Sequence, residues 1–548
     1  MQITLVNSNF IEQITPNFML NLEAGLLSLG GVLVKANYEV NVVNLSQLIK
    51  DKKLITDALF CSNAAKFILK QGSDILGFNS RCDTYPITLN IARQCKQSNP
   101  KSVIIIGGPQ ATFTDYETLE KFSFVDVVVR GEGELTILEL MNRLKEHRGF
   151  EGIPGVTYRE NGKIIKNKPR ELIKDLNSLP LPAYSLLKGY QPAPDELKEG
   201  WAYIAIGRGC PYNCTFCSTG RLWQRYYRLK SPGKIIEEVV YLQKKYGIRR
   251  FYLGHDNLFT NKEDVKKIAK LLLQKKINIE WTCSSRIDSI DAELLKTAAS
   301  SGCKRIFFGV ESGSPKMQKI IKKNIKPQAV LAVIEECRKF NIFVILSFIM
   351  GFPEEREKDI NATLELAMKS RVSGNCYPYI RPLTPIAGTE LFLKNRKRLS
   401  LRDSWSNLYL IGSLIRKSKW SMGLIKKYPS MFSNFYSIKP KYLPVYLPYE
   451  TVTLFSTLIC AYPRSIYIVL EELKLKPLAL MDKFRKWAKV KKIIFKGKMK
   501  SPGYRQTLKY FPVFLKDLYN NDRLFRGLQY IMNCEKQNCD RVHAKITD

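Results

Sequence analysis

The sequence predicts an α/β protein in three parts: a Rossmann-like, doubly wound parallel sheet over 1–150, a partial (βα)6 barrel of the TIM type over 201–395, and a mostly helical module over 396–548, with 151–200 as a connector. Three observations lead there. Strand-length runs of β-branched and aliphatic residues alternate with helix-length segments in the first 150 residues; the alternation pauses at a proline-bearing stretch and resumes at Trp201; it degrades after about residue 400. Alternating strand and helix implies a parallel sheet covered on both faces. At about 150 residues per domain, a chain of 548 holds three or four.

In the first part the strand candidates are 3–6, 40–43, 75–78, 103–106 and 125–129, and the helices include 21–36, 86–97 and 134–147. The ligand crevice of such a sheet lies at the carboxyl ends of its strands. Gly107-Gly108-Pro109 and Gly131-Glu132-Gly133-Glu134 fall at two of those ends. Glycine lets a backbone approach a ligand closely, and it serves a strand-to-helix turn equally well without one.

In the connector, 156–158 and 163–166 flank Asn161-Gly162, a hairpin signal. Pro180, Pro182, Pro192 and Pro194 follow. Barrel strands are expected at 203–206, 250–253, 279–283, 305–308 and 343–349, with a weaker run at 377–380, separated by helices such as 232–246, 262–275, 291–301 and 327–340. Six repeats in this span fall short of the roughly 250 residues of a complete eight-stranded barrel.

Lys and Arg number 87 against 50 Asp and Glu, and the surplus of 37 divides as +1 over 1–200, +18 over 201–400 and +18 over 401–548. Such a balance suits an anionic partner for the last two thirds, or only a lysine-rich proteome. With 45% hydrophobic residues the chain can bury ordinary cores, which excludes wholesale disorder. The opening MQITLVNS reads as a strand, not a signal peptide, and the apolar stretch 451–463 is short for a bilayer span and bracketed by Glu450 and Arg464. Thirteen cysteines, an odd number, argue for a reducing compartment such as the cytoplasm and against a disulfide framework.

The strongest chemical signal is Cys210-Pro-Tyr-Asn-Cys214-Thr-Phe-Cys217, directly after the first barrel strand. Four thiolates saturate a four-iron cluster, so three leave one iron open to another ligand. A structural zinc site needs a second ligand pair at defined spacing. None is apparent: of His147, His255 and His543 only His255 falls in the same part, and Cys534 with Cys539 makes two ligands where four are needed. The remaining cysteines read as small, mostly buried thiols.

A Cys-x-x-x-Cys-x-x-Cys loop after strand one of a partial barrel, with the aromatic Phe216 before its last cysteine, resembles the radical SAM superfamily. The resemblance implies a 4Fe-4S cluster on Cys210, Cys214 and Cys217, whose open iron takes the amino and carboxylate groups of S-adenosylmethionine, and reductive cleavage to a 5′-deoxyadenosyl radical. Further motifs match in order. Gly254-His-Asp256-Asn257 ends strand two, where the family has a Gly-Gly-Glu-like turn on the methionine amino group; this sequence departs from that pattern, with Asp256 as the candidate. Arg286 follows strand three as a polar contact. Gly309-Val-Glu311-Ser312 stands at strand four, with Glu311 directed at the ribose hydroxyls or held in a buried salt bridge, and Gly351-Phe-Pro at strand five near adenine.

Over about residues 1–395 the order of modules is similar to the cobalamin-binding radical SAM family. That implies cobalamin against Gly107, Gly108, Gly131, Glu132 and Gly133. The Asp-x-His-x-x-Gly motif that carries a cobalt ligand in related domains is absent, and no histidine precedes His147, which implies an unligated lower face. The implied outcome is C-methylation of an unactivated carbon, with cyclisation or rearrangement as the alternative, on a substrate held between the first two parts. A low-potential donor such as ferredoxin or flavodoxin is implied too. A reading of another class is an RNA- or membrane-binding protein that keeps the cluster for structure.

Segment 442–473 carries Tyr442, Tyr446, Tyr449, Phe455, Tyr462 and Tyr467 among aliphatic residues, with basic clusters around it, and 483–500 is strongly basic. A helical cap with an apolar inner face accounts for this, as does an anionic membrane interface or a nucleic-acid surface. Aromatics grouped with aliphatics favour the membrane over nucleic acid, and with it a lipid or other hydrophobic small-molecule substrate. The third part is expected to be a separate module.

Overall fold

The structure, a computed structural model, describes residues 1–8, 19–20, 23–401, 409–444, 447–491, 504–519 and 526–535. Its frame is two seven-stranded sheets. In the first, Glu39–Asn44, Gln2–Asn7, Ile75–Asn79, Val103–Gly107 and Val127–Val129 lie in that spatial order, all parallel. The hairpin Val156–Glu160 with Lys163–Lys166 extends it antiparallel. Asn161 (φ 48°) and Gly162 (φ 75°) make its turn, both in the left-handed region a two-residue hairpin needs. The hairpin of the connector therefore belongs to the first sheet.

Strand residues point alternately to the two faces, and both faces are apolar here. Ile104 and Ile106 join a core with the helices Phe60–Leu69 and Tyr85–Ser98. Ile105 joins the opposite core with Ala24–Lys35 and Glu134–Lys145. The doubly wound arrangement follows from continuous apolar runs.

The second sheet takes Trp201–Ala205, Arg250–Gly254, Glu280–Arg286, Cys303–Glu311, Phe343–Met350 and Cys376–Pro382 in sequence order, all parallel, and its two edges do not pair. Met19–Leu20 adds a short parallel strand beside Trp201–Ala202. The helices between the strands begin and end on local signals. Pro232–Tyr246 starts with Ser231 accepting from Lys234 N and a proline at its first position, and stops at Gly247 with φ 71°.

The described residues past 400 divide between the cores of the two earlier parts instead of forming a module of their own. Tyr409–Lys417 and Lys419–Lys427 deliver Ile411, Leu414, Ile415 and Ile425 into the core of the first domain, where Phe432 meets Tyr85 at 5.9 Å. Leu447–Ala461, Pro463–Glu472, Pro477–Val490 and Tyr504–Leu518 join the barrel core instead, covering the edge strand Cys376–Pro382 and the helix Glu357–Val372. An open barrel leaves that edge uncovered unless something packs on it. The aromatics expected at a membrane serve this packing: Phe455 and Tyr462 are buried, and Tyr462 stacks on Phe511 at 6.2 Å. Tyr442 is exposed. The side chains of Tyr446 and Tyr449, the partner cysteine Cys539 and residues 492–500 of the basic run lie outside the described set. No single helix among the described residues is long and apolar enough to cross a membrane, and one pair bent by 104°, Leu454–Ala461 with Pro463–Glu472, passes on length and composition only.

Candidate active site

The cysteine loop hangs from a two-residue antiparallel ladder, Gly207–Arg208 against Arg228–Leu229. Gly209, at φ 96°, passes so close that a Cβ there would meet Tyr226 O at 1.9 Å. Thr215 pins the loop to the barrel, its N–H donating to Ile321 O (3.0 Å) and its carbonyl accepting from Leu391 N (2.8 Å). Cys210, Cys214 and Cys217 are all partly exposed, whereas Cys61, Cys95, Cys283, Cys303, Cys337, Cys376 and Cys460 are buried. Burial pushes the Cys210 thiol up to about 11, with Cys217 and Cys214 adding to the shift, so the three thiols lie within electrostatic reach of one another. Among the described residues no three His, Cys, Asp or Glu side chains converge as a single metal ion requires. A four-iron cluster gives each thiolate a different iron and makes no such demand.

Around the loop the candidate residues fall into two groups. Arg286 and Glu311 face the thiols. Arg286 holds Asp288 in a bidentate pair (2.9 and 2.6 Å), donates to Lys323 O (2.6 Å), and lies 3.8 Å from the Tyr212 ring centroid. It is buried, and its Nη1 has no protein partner. Glu311, at φ 70°, accepts from Lys323 Nζ (3.4 Å) and Ser347 Oγ (3.1 Å), which is the buried salt bridge its burial requires.

The second group supports the loop and turns. The Asp256 carboxylate accepts from Gly209 N (2.7 Å) and Thr219 Oγ1 (3.3 Å), bracing the cysteine loop, and burial raises its pKa. Phe216 packs on Phe352 at 5.8 Å. Gly254 leaves room for Tyr203, whose ring would lie 2.3 Å from a Cβ there. Ser312, expected beside the nucleoside, is fully buried and bonded to Thr363 Oγ1 (3.1 Å) and Ser314 N (3.2 Å); it lies just past the strand end, after the left-handed Glu311. Gly351 has φ 103° and donates to Glu355 (2.6 Å), whose carboxyl burial lifts to about 8.

Beside the Gly207–Arg208 ladder strand, a cavity of about 640 Å³ opens between the carboxyl ends of the two sheets. Gly107, Gly108, Gly131, Glu132 and Gly133 line it from one side, Tyr203, Ala205, Gly207, Tyr252 and Ser284 from the other. Gly108, at φ 104°, brings its backbone where a Cβ would stand 2.5 Å from Ser80 O. Gly131, at φ 71°, has nothing within 4 Å of such an atom, and its N–H donates to Thr112 Oγ1 (3.0 Å). Glycines of this kind leave backbone open to a large flat ligand. Glu132, expected to meet a cofactor, instead accepts from Arg208 Nη1 (2.5 Å), Arg228 Nη1 (2.9 Å) and Ile173 N (2.7 Å). Glu134 binds Arg208 as well and accepts from Ser28 Oγ (2.8 Å); burial opposes its ionisation, but Arg208 holds it below its ordinary value.

His255 also lines the cavity, yet both its ring nitrogens are engaged, with Arg228 O (3.1 Å) and Asn257 N (3.0 Å). Burial lowers its pKa to about 4, so it stays neutral. Sequence reasoning missed Tyr203 and Tyr252, which stack across neighbouring strands at 5.5 Å, and the arginines Arg208 and Arg228. The tyrosines were findable as a cross-strand pair on the inward face; the arginines carry no local signal.

Residues 204–367 match the radical SAM superfamily and residues 22–141 the B12 binding domain. The chain is 32% identical over 391 residues to an uncharacterized methyltransferase of Pyrococcus horikoshii, covering 71% of this chain and 84% of that one. It is 26% identical over 351 residues to an anaerobic magnesium-protoporphyrin IX monomethyl ester cyclase of Synechocystis, covering 62% and 67%. Its fold resembles that of the radical S-adenosylmethionine methyltransferase TsrM of Kitasatospora setae, solved with cobalamin and a 4Fe-4S cluster, with a TM-score of 0.64 at 14% identity over 98% of this chain and 99% of that one.

Proposed function

Because the chain belongs to the cobalamin-binding radical SAM family of enzymes, whose cofactors are a 4Fe-4S cluster, S-adenosylmethionine and cobalamin, we propose that it methylates an unactivated carbon of an uncharged, hydrophobic small molecule. The observation that supports this reading most is the cavity between the two sheets, with the glycine turns on one wall and, on the other, the barrel strand ends and the Gly207–Arg208 ladder from which the cysteine loop hangs. Bound there, the cluster would supply the electron that cleaves S-adenosylmethionine, and the corrin the methyl group.

The chain's own residues have separable tasks in this scheme. Cys210, Cys214 and Cys217 hold the cluster, and Arg286, with an unpaired Nη1, offers a donor beside it. The Gly107-Gly108 and Gly131-Glu132-Gly133 turns would seat the corrin, and His255, the one histidine lining the cavity, has both ring nitrogens engaged. Tyr203 and Tyr252 give the substrate an aromatic wall, with the Tyr252 hydroxyl fixed by Ser284. The charged groups lining the cavity are already partnered: Arg81 with Asp83, Lys230 with Glu238, Arg208 with Glu132 and Glu134, and Asp256 with the loop backbone. A charged substrate would be desolvated there without compensation, which favours a neutral one.

Anaerobic reconstitution followed by chromatography tests the reaction class. Methylation yields S-adenosylhomocysteine together with 5′-deoxyadenosine; 5′-deoxyadenosine alone would overturn it and favour the cyclisation named for the Synechocystis relative. A second expected result concerns the corrin turn. Gly108→Ala forces a side chain into left-handed backbone at a strain of about 1–3 kcal/mol and against Ser80 O. The variant is expected to lose corrin absorbance on gel filtration at unchanged iron content; full corrin retention would remove the turn from the site.

A further inference from the structure

A second hollow, of about 470 Å³, opens on the outer side of the cysteine loop. Asn213, Cys214, Cys217, Arg221, Arg225 and Lys394 are among the residues that line it, so two of the three thiols border it, and it has no lining residue in common with the cavity between the sheets. The two sides of the loop differ in charge. Inside, Arg286 is matched by Asp288 and Lys323 by Glu311. Outside, Arg221 and Arg225 are exposed and neither is ion-paired among the described residues. Glu390 is the one carboxylate lining the hollow, against the three cations Arg221, Arg225 and Lys394, and it is already bound by Lys394 (2.7 Å) and by Lys322 (2.7 Å) from outside the lining.

The rim is also preorganised. Arg225 N donates to Gly220 O (2.9 Å), and Gly220 passes so near Tyr212 that a Cβ would meet its carbonyl at 2.6 Å. Gln224 and Arg225 both hold positive φ, 51° and 56°, a conformation non-glycine residues keep only where the surroundings impose it. Leu393 is exposed beside them, as is Tyr212. Arginine with exposed aromatic and aliphatic groups is the composition of a protein interface, not of a merely solvated face.

We infer that this hollow is the docking site of an acidic, one-electron donor protein. The inference rests on the proposed reductive chemistry, since only a cluster that must be reduced repeatedly needs a partner at its ligands. One electron leaves the donor, which is oxidised by one equivalent, and enters the cluster, which passes from the 2+ to the 1+ state; no proton or group moves. A donor seated over Arg221, Arg225 and Lys394 lies directly against the turn that carries Cys214 and Cys217. Small, charged, short-lived interfaces are typical of such encounters. Opposite charge raises their association rate and makes it salt-sensitive. This surface also gives part of the basic surplus of residues 201–400 a task that the interior site does not.

The test uses the reconstituted enzyme and a double charge reversal, Arg221→Glu with Arg225→Glu, at positions outside the interior site. Oxidised flavodoxin, which transfers no electron, serves as the binding probe. Its affinity for the variant is expected to fall roughly tenfold or more at low salt, and rising salt is expected to weaken wild-type binding while changing the variant little. Stopped-flow bleaching of the cluster by reduced flavodoxin should slow in parallel. Dithionite should reduce both proteins at the same rate, which shows an intact cluster and fold. Equal flavodoxin affinity and reduction rate in the two proteins would overturn the site, as would a loss of binding to anionic vesicles or RNA in the variant with flavodoxin binding unchanged. If dithionite-reduced wild type leaves S-adenosylmethionine intact, the proposed chemistry fails instead of the docking site.

Discussion

Replacing Cys210, Cys214 and Cys217 by Ala, singly or together, is expected to abolish the visible absorbance of the cluster and the formation of 5′-deoxyadenosine while leaving the fold in place. Three protein ligands are the minimum that hold a four-iron cluster with one open iron, and among the described residues most of the other thiols are buried. Cys61, Cys95, Cys283, Cys303, Cys337, Cys376 and Cys460 are buried in the cores, out of reach of a cluster on the loop. The three loop cysteines are partly exposed and carry no core packing, so each substitution should cost within about 0.5 kcal/mol of stability. Circular dichroism and thermal melting of the apoprotein would check the second half, iron content and chromatography the first. A purified triple variant that still cleaves S-adenosylmethionine would refute the assignment of these residues.

The cysteine loop was legible because its ligand spacing is local in sequence, and the strands because a buried parallel strand needs an uninterrupted apolar run such as Val103–Gly107. What the sequence hid is tertiary. Glu132 meets Arg208 and Arg228 across 76 and 96 residues, and no periodicity marks such a pairing. Tyr409–Lys417 looked like part of a separate module because its amphipathic face says only that a partner exists, and that partner lies more than 300 residues earlier at Tyr85–Ser98. The motif positions show the same limit from the other side. Phe216, Asp256 and Ser312 lie on the motif turns from which their roles are expected, and their side chains go to Phe352, Gly209 N and Thr363. A motif fixes a turn; which atoms of it reach a ligand depends on neighbours from other strands.

The link between the two halves of the active site should be the most sensitive point in the interior. Glu132 leaves the first domain at a strand end and is the counter-ion of Arg228, which is itself 4% exposed and already keeps Nε and Nη2 without partners. Arg208 can fall back on Glu134, but Arg228 has no second carboxylate among the described residues. Glu132→Ala therefore leaves a buried guanidinium uncompensated, at a cost of about 3–5 kcal/mol, together with an unmet N–H at Ile173. Glu132→Gln keeps an acceptor for both and should recover part of that loss. Because Arg208 stands two residues before Cys210 and Arg228 closes the same ladder, loosening this pair shifts the cluster loop against the corrin turns. The Ala variant is expected to unfold at lower denaturant concentration, to be nicked faster by protease between the domains, and to form more 5′-deoxyadenosine per methyl group transferred, with Gln intermediate in all three. Stability also falls with acid: the Glu134 carboxyl lies below its ordinary value in the fold, so its contribution is full above that range and is lost as pH drops through the folded-state value. If Glu132→Ala matches wild type in denaturant midpoint and in the ratio of the two products, the pair neither holds the domains together nor sets their spacing.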